Sequence, residues 1–215
     1  MSTNAATVML VDDHPLFRKG LQQLIAMEDD LVVLSEYNNG SDAIIGALHD
    51  DPDLIILDLN MQGMDGLETV RLMREQHITA RIVMLTVSDA EDDVLAAIEN
   101  GADGYLLKDM EPEDIVENIK QAVLGKLALS DRLTKVLAQS WHKPKQQPDE
   151  NLLESLTGRE SQILILIAKG MSNKLIAQEL RITDATVKVH VKHLLKKLNL
   201  RSRLEAAVWL KDQQL

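Results

Sequence analysis

Five short apolar runs, each closed by a hydrophilic residue and followed by a helix-like segment, constrain this chain more than any other feature. They are Val8 to Val11, Leu31 to Leu34, Leu54 to Leu57, Ile82 to Leu85 and Gly104 to Leu107. Each is nearly all apolar instead of alternating, as expected of strands covered on both faces. Between them lie amphipathic stretches such as Leu16 to Met27 and Val94 to Asn100. Five such units predict a doubly wound parallel sheet of the flavodoxin-like kind, with helices on both faces. A last amphipathic segment, Pro112 to Leu124, closes it with proline at a helix start.

Beyond residue 126 the pattern changes. Trp141 to Glu150 has two prolines and no apolar period, so it reads as an exposed linker. Ser130 to Gln139 is long enough for one short helix capped by Ser130. From residue 151 every apolar pattern is helical. Thr157-Gly158-Arg159-Glu160 and Ser202-Arg203-Leu204-Glu205 have the capping-box spacing, and Ser172 and Thr183 are candidate caps for two further helices. The expected organisation is an α/β domain over 1–126, a linker over 127–150 and an all-α domain over 151–215.

Charge divides at the same place. Residues 1–125 hold 25 acids and 7 bases, a net of −18; residues 126–215 hold 9 acids and 16 bases, a net of +7. Two opposite surfaces on one chain point to two tasks, one involving a polyanion. The chain has no cysteine, which excludes disulfides and thiolate metal sites. No basic segment precedes the first apolar run, and the longest strongly apolar stretch, Ile163 to Ala168, is too short to span a bilayer. A soluble, cytoplasmic protein without membrane insertion is expected.

In an open parallel sheet, functional side chains collect at the carboxyl ends of the strands. Those positions hold Asp12 and Asp13, Asp58, Thr86 and Lys108. Three converging carboxylates repel unless a cation intervenes, and Mg²⁺ suits oxygen ligands while keeping open positions for phosphate. Lys108 can balance charge from the other side. Such a rim favours phosphoryl transfer, in which positioning and neutralisation supply most of the catalysis. Asp58, between the other acids and Lys108, is the best acceptor.

Val11-Asp12-Asp13-His14-Pro15, Leu57-Asp58-Leu59-Asn60-Met61, Leu85-Thr86 and Gly101-Ala102-Asp103-Gly104-Tyr105-Leu106-Leu107-Lys108 resemble the receiver domain of bacterial two-component response regulators over about residues 7–125. The resemblance implies that Asp58 is the phosphoacceptor. It implies Mg²⁺ held by Asp13, Asp58 and the backbone carbonyl of Asn60, with Asp12 assisting through water. Lys108 would pair with the phosphoryl group, Thr86 would bond to it after transfer, and Tyr105 would rotate inward behind Thr86. Two positions depart from the usual pattern: Gln62 and Asp109 stand where proline is frequent. At Asp109 a cis bond would cost about 2.5–4 kcal/mol, so a trans peptide is expected.

In the basic half, Val187, Val191, Leu194 and Leu198 form an apolar stripe at helical spacing. Lys188, Lys192 and Lys196 form a second stripe, whose repulsion a polyanion would relieve. Val189 sits beside the lysines, where its methyl groups could meet a thymine methyl, and Thr186 lies in the first turn. With the preceding segment Asn173 to Leu180 this makes helix-turn-helix geometry.

Leu156-Thr157-Gly158-Arg159-Glu160, Gly170 to Ala177 and Thr186 to His190 resemble the LuxR-type DNA-binding domain. Receiver plus LuxR-type domain is the organisation of the NarL/FixJ group. Within it, Gly101 to Asp114 and Thr186 to His193 are similar to the nitrate/nitrite regulators. The resemblance implies a transcription regulator, not an enzyme. Its implied partners are a sensor histidine kinase, double-stranded DNA and a second copy of itself when active or DNA-bound, and its implied role is control of anaerobic respiration genes. Two rival readings are a constitutive DNA-binding regulator whose first domain only mediates interaction, and a Mg²⁺-dependent aspartyl phosphohydrolase. Nothing in the residues supplies the second acid that a hydrolase needs.

Overall fold

The computed structural model describes residues 5–125, 128–129, 153 and 155–213. The predicted linker and the helix from Ser130 lie outside the described residues.

The first domain alternates as predicted: β1 (Ala6–Val11), α1 (Pro15–Ala26), β2 (Leu31–Tyr37), α2 (Gly40–Asp50), β3 (Leu54–Leu57), α3 (Gly66–Glu75), β4 (Arg81–Thr86), α4 (Glu91–Glu99), β5 (Gly104–Leu107) and α5 (Pro112–Leu124). The strands are parallel in the order β2-β1-β3-β4-β5. A sixth strand, β6 (Ala128–Leu129), extends the sheet beyond β5. Five strands were expected; two residues carry too little pattern to announce a strand.

Successive residues of each inner strand face opposite layers. Met9, Ile55, Leu57, Ile82, Met84 and Tyr105 enter one core, while Val8, Leu10, Leu54, Ile56, Val83 and Leu85 enter the other. Both sets are buried because helices cover both faces. β2 is the exception: Val32 and Leu34 are 46% and 44% exposed, since an edge strand is covered incompletely.

The second domain comprises α6 (Gly158–Ala168), α7 (Asn173–Leu180), α8 (Asp184–Leu198) and α9 (Arg203–Gln213) around a third core that includes Ile163, Ile167, Ile176, Val187, Val191, Leu194 and Leu198. The Thr157–Glu160 capping box is complete, and Ser172 and Thr183 cap α7 and α8. At α9 Ser202 Oγ accepts from Glu205 N at 3.1 Å, and the Glu205 carboxylate accepts from Arg201 N. No described helix is long and apolar enough to cross a membrane.

Candidate functional site

The carboxyl ends of β1, β3, β4 and β5 bring five predicted side chains into one pocket. Lys108 Nζ lies 2.8 Å from both Asp12 Oδ2 and Asp58 Oδ2. Asp58 is 2% exposed, and burial pushes its carboxyl above the ordinary range against the pull of Lys108. Its Oδ1 accepts from the Asn60 N–H at 3.3 Å. Asp13 faces the same space from the rim and accepts from Gln62 N–H at 3.0 Å. Thr86 is fully buried, and its Oγ1 accepts from Asn60 Nδ2 at 3.3 Å and Ser88 N at 3.2 Å.

Asp13 Oδ1 and Asp58 Oδ2 are both buried, the first facing His14 Nδ1 and the second the Lys108 ammonium. Ligand atoms of Asp12, Asp13, His14 and Asp58 all lie within 4.8 Å of one another. Oxygen donors with spare lone pairs converging on one point suit a hard divalent cation. The same cation would relieve the repulsion between the carboxylates.

Three further residues border this pocket. His14 Nδ1 stands 3.0 Å from Asp13 Oδ1 and 3.7 Å from Asp58 Oδ2. Phe17 lies under the Lys108 ammonium, 4.7 Å from ring centre to Nζ, and Arg18 donates to the Asp12 carbonyl. The Gln62 N–H, which a proline would lack, orients Asp13. The bond before Asp109 is trans, like every peptide among the described residues.

Tyr105 is already inside. Its ring is fully buried, its hydroxyl donates to the Ser88 carbonyl at 3.0 Å, and burial, with Asp93 nearby, pushes its phenol up to about 12. The ring thus lies in the inward position that the resemblance associates with phosphoryl transfer.

The basic helix α8 buries Val187, Val191, Leu194 and Leu198, as the stripe predicts. Thr186, Lys192 and Lys196 are exposed, and Val189 is 53% exposed. Lys188 does not share this free surface. Its side chain is 14% exposed, and Nζ donates to the Asp51 carbonyl at 2.7 Å while lying 3.2 Å from Asp51 Oδ2 and 3.5 Å from Asp53 Oδ1. Sequence spacing places Lys188 on the helix face but not what that face meets.

The docked surface is the end of the sheet opposite the carboxylate pocket. Asp53 precedes β3, Arg81 opens β4 and Asp103 precedes β5. Arg201 Nη1 donates to the Glu99 carbonyl at 3.0 Å, and Leu204 N reaches Asp103 Oδ1 at 3.4 Å.

Residues 8–120 match the response regulator receiver domain and residues 154–210 the bacterial regulatory proteins of the luxR family. The chain is 52% identical to the nitrate/nitrite response regulator protein NarL of Escherichia coli (strain K12), covering 98% of this chain and 97% of that one. It is 44% identical to NarP of the same strain, over 96% and 95% of the two chains. Among solved structures it resembles the response regulator ChrA of a heme-sensing two-component system, at 33% identity and a TM-score of 0.52 over 98% of each chain. These relatives are regulators, in keeping with a chain that is not an enzyme. Two domains in sequence, each matched over its length, together with relatives similar from end to end, place this chain in the response regulator family with a LuxR-type effector domain.

Proposed function

We propose that the chain is a cytoplasmic transcription regulator switched by phosphorylation of Asp58 and acting on promoter DNA through α8. The observation that carries this reading is the Lys108 ammonium set 2.8 Å from both Asp12 and the buried Asp58. The domain limits near residues 126 and 151 belong to the same reading.

An Asp58 carboxylate oxygen attacks the phosphorus of a phosphohistidine on a sensor kinase. The P–N bond breaks, the imidazole nitrogen takes a proton, and an acyl phosphate forms on Asp58. Asp13, Asp58 and the Asn60 carbonyl would hold Mg²⁺, with Asp12 behind them; when bound, the ion neutralises charge on the transferring group. Lys108 holds the opposite side. Thr86, now bonded by Asn60, turns its hydroxyl to the phosphoryl oxygens, and this repacks the segment from Thr86 through Ser88 to Tyr105.

In the unphosphorylated chain the −18 half covers part of the +7 half, with Lys188 engaged by Asp51 and Asp53. Release exposes Lys188 beside Thr186, Val189, Lys192 and Lys196, and two copies then bind two half-sites. The likeness to NarL and NarP supports nitrate or nitrite as the signal and anaerobic respiration genes as the target.

The test is DNA binding at fixed salt by wild type and Asp58→Asn, each with and without a small phosphoryl donor and Mg²⁺. Tightening in wild type alone supports the switch. Equal behaviour of the two proteins overturns it, and DNA binding indifferent to donor leaves the constitutive-regulator reading in its place.

A further inference from the structure

The interface between the domains encloses a small cavity, partly open to solvent. Thr79 and Arg81 contribute from the sheet side, and Asn173, Lys174 and Arg203 from the effector side, with Asp53 at one wall. Its free volume of about 20 Å³ is far below that of an ordinary ligand pocket, so it admits nothing larger than a small ion.

Its lining carries three cations, Arg81, Lys174 and Arg203, and one carboxylate, Asp53. Arg203 is 4% exposed; its Nη atoms donate to Asn173 Oδ1 and the Met171 carbonyl, but its Nε is buried with no hydrogen bond. Arg81 has no side-chain acceptor among the described residues. The carboxylate facing these two guanidiniums is Asp103, which is already bonded to Arg74 at 2.6 Å and to Ile82 N at 3.0 Å. Asp103 thus faces three arginines, and Asp184 is a second carboxylate acting on Arg203. Burial, reinforced by Arg81 and opposed by Asp103 and Asp184, lowers the Arg203 pKa to about 9. Asp53 is committed elsewhere. Its Oδ2 accepts from both Thr7 N and Thr7 Oγ1, and its Oδ1 faces Lys188.

The cavity wall also includes the first turn of α7, capped by Ser172. The N-terminus of a helix favours an anion through its dipole and its outward N–H groups. A guanidinium fork beside it adds paired donors matched to tetrahedral oxygens.

We propose that this cavity is a binding site for a small tetrahedral oxyanion of the phosphate or sulfate class, held by Arg81, Arg203 and the first turn of α7. Because its walls come from both domains, the bound anion favours the docked arrangement and opposes DNA binding by linkage.

The experiment is calorimetric titration of the full chain with sodium phosphate and, separately, sodium sulfate, at ionic strength matched with chloride. Wild type, Arg81→Gln and Asp58→Asn are compared, Asp58 lying at the other end of the sheet. We expect one saturable site per chain, weakened at least tenfold by Arg81→Gln and unchanged by Asp58→Asn. Sulfate at matched ionic strength should weaken DNA binding of wild type but not of Arg81→Gln. Should Arg81→Gln fail to fold, Arg81→Lys keeps the charge without the fork and should weaken binding severalfold. Absence of a saturable site, equal binding by the Arg81 variant, or loss of binding in Asp58→Asn overturns the proposal.

Discussion

Lys188, on the helix proposed to enter DNA, donates to the backbone carbonyl of Asp51 at 2.7 Å and pairs with its carboxylate at 3.2 Å. Asp51 is the left-handed C-cap of α2, with φ 46°, a conformation that asparagine also tolerates. Asp51→Asn therefore removes the charge without disturbing the turn. An exposed pair contributes about 0.2–1 kcal/mol, so DNA binding by the unphosphorylated variant should tighten by up to about fivefold. The gain should shrink as salt rises, because screening weakens the pair in wild type as well. Unchanged affinity at low salt would show that Lys188 is not what holds the helix.

The Gln62 N–H donates to Asp13 Oδ2 at 3.0 Å, which gives a physical sense to the departure from proline at that position. Gln62→Pro deletes the donor, and Asp13 loses its orientation toward Asp58. Loss of such a supporting bond typically costs 10–100-fold in metal affinity. We expect about tenfold weaker Mg²⁺ binding, measured by titration calorimetry. Gln62→Ala keeps the N–H and should bind like wild type.

Much of this was legible beforehand because the physics is local. Strands covered on both faces must be apolar throughout, and their polar ends must then face one rim, which assigns Asp12, Asp13, Asp58, Thr86 and Lys108 to one pocket from pattern alone. The caps of α6, α7 and α8 are spaced by backbone geometry and were equally readable. What escaped depends on partners distant in sequence. Lys188 meets Asp51 across 137 positions, and Leu204 meets Asp103 across 101. Periodicity gives the face of a helix and is silent about what docks there. β6 was lost for a different reason, since two residues show no period at all.

Arg74 and Asp103 form a pair in which each side chain is 3% exposed, 2.6 Å apart. Arg74 also donates to the carbonyls of Gly101, Ile78 and Ala80. Removing one member of a buried pair leaves the other charge uncompensated, at a cost of about 3–5 kcal/mol. Asp103→Asn should lower receiver stability by that amount in urea unfolding. Because Asp103 Oδ1 also meets Leu204 N, the variant should loosen domain docking and raise protease sensitivity between the domains. Asp103 and Lys108 stand at opposite ends of β5, about 16 Å apart at 3.3 Å per residue, so this strand links the pocket to the docked surface.

Glu160 joins two elements of the effector domain. Its Oε2 accepts from Thr157 N at 2.8 Å and Thr157 Oγ1 at 2.9 Å at the start of α6, and from Lys197 Nζ at 2.7 Å on α8. Burial alone would raise its carboxyl, but Lys197 and the Thr157 donors outweigh that and hold it below the ordinary value of 4.5. A carboxyl depressed in the folded state contributes stability that is present above that ordinary value and lost as pH falls through the folded one. The effector transition should therefore weaken below about pH 4.5 on the reference scale for glutamate. Glu160→Gln should remove this dependence and cost about 1–2 kcal/mol near neutrality, the size of a cap together with a charge-assisted bond. Thermal unfolding of both proteins between pH 3.5 and pH 7 separates the outcomes. Parallel curves would mean that Glu160 does not carry the acid sensitivity, whereas curves converging at low pH assign it to this carboxylate.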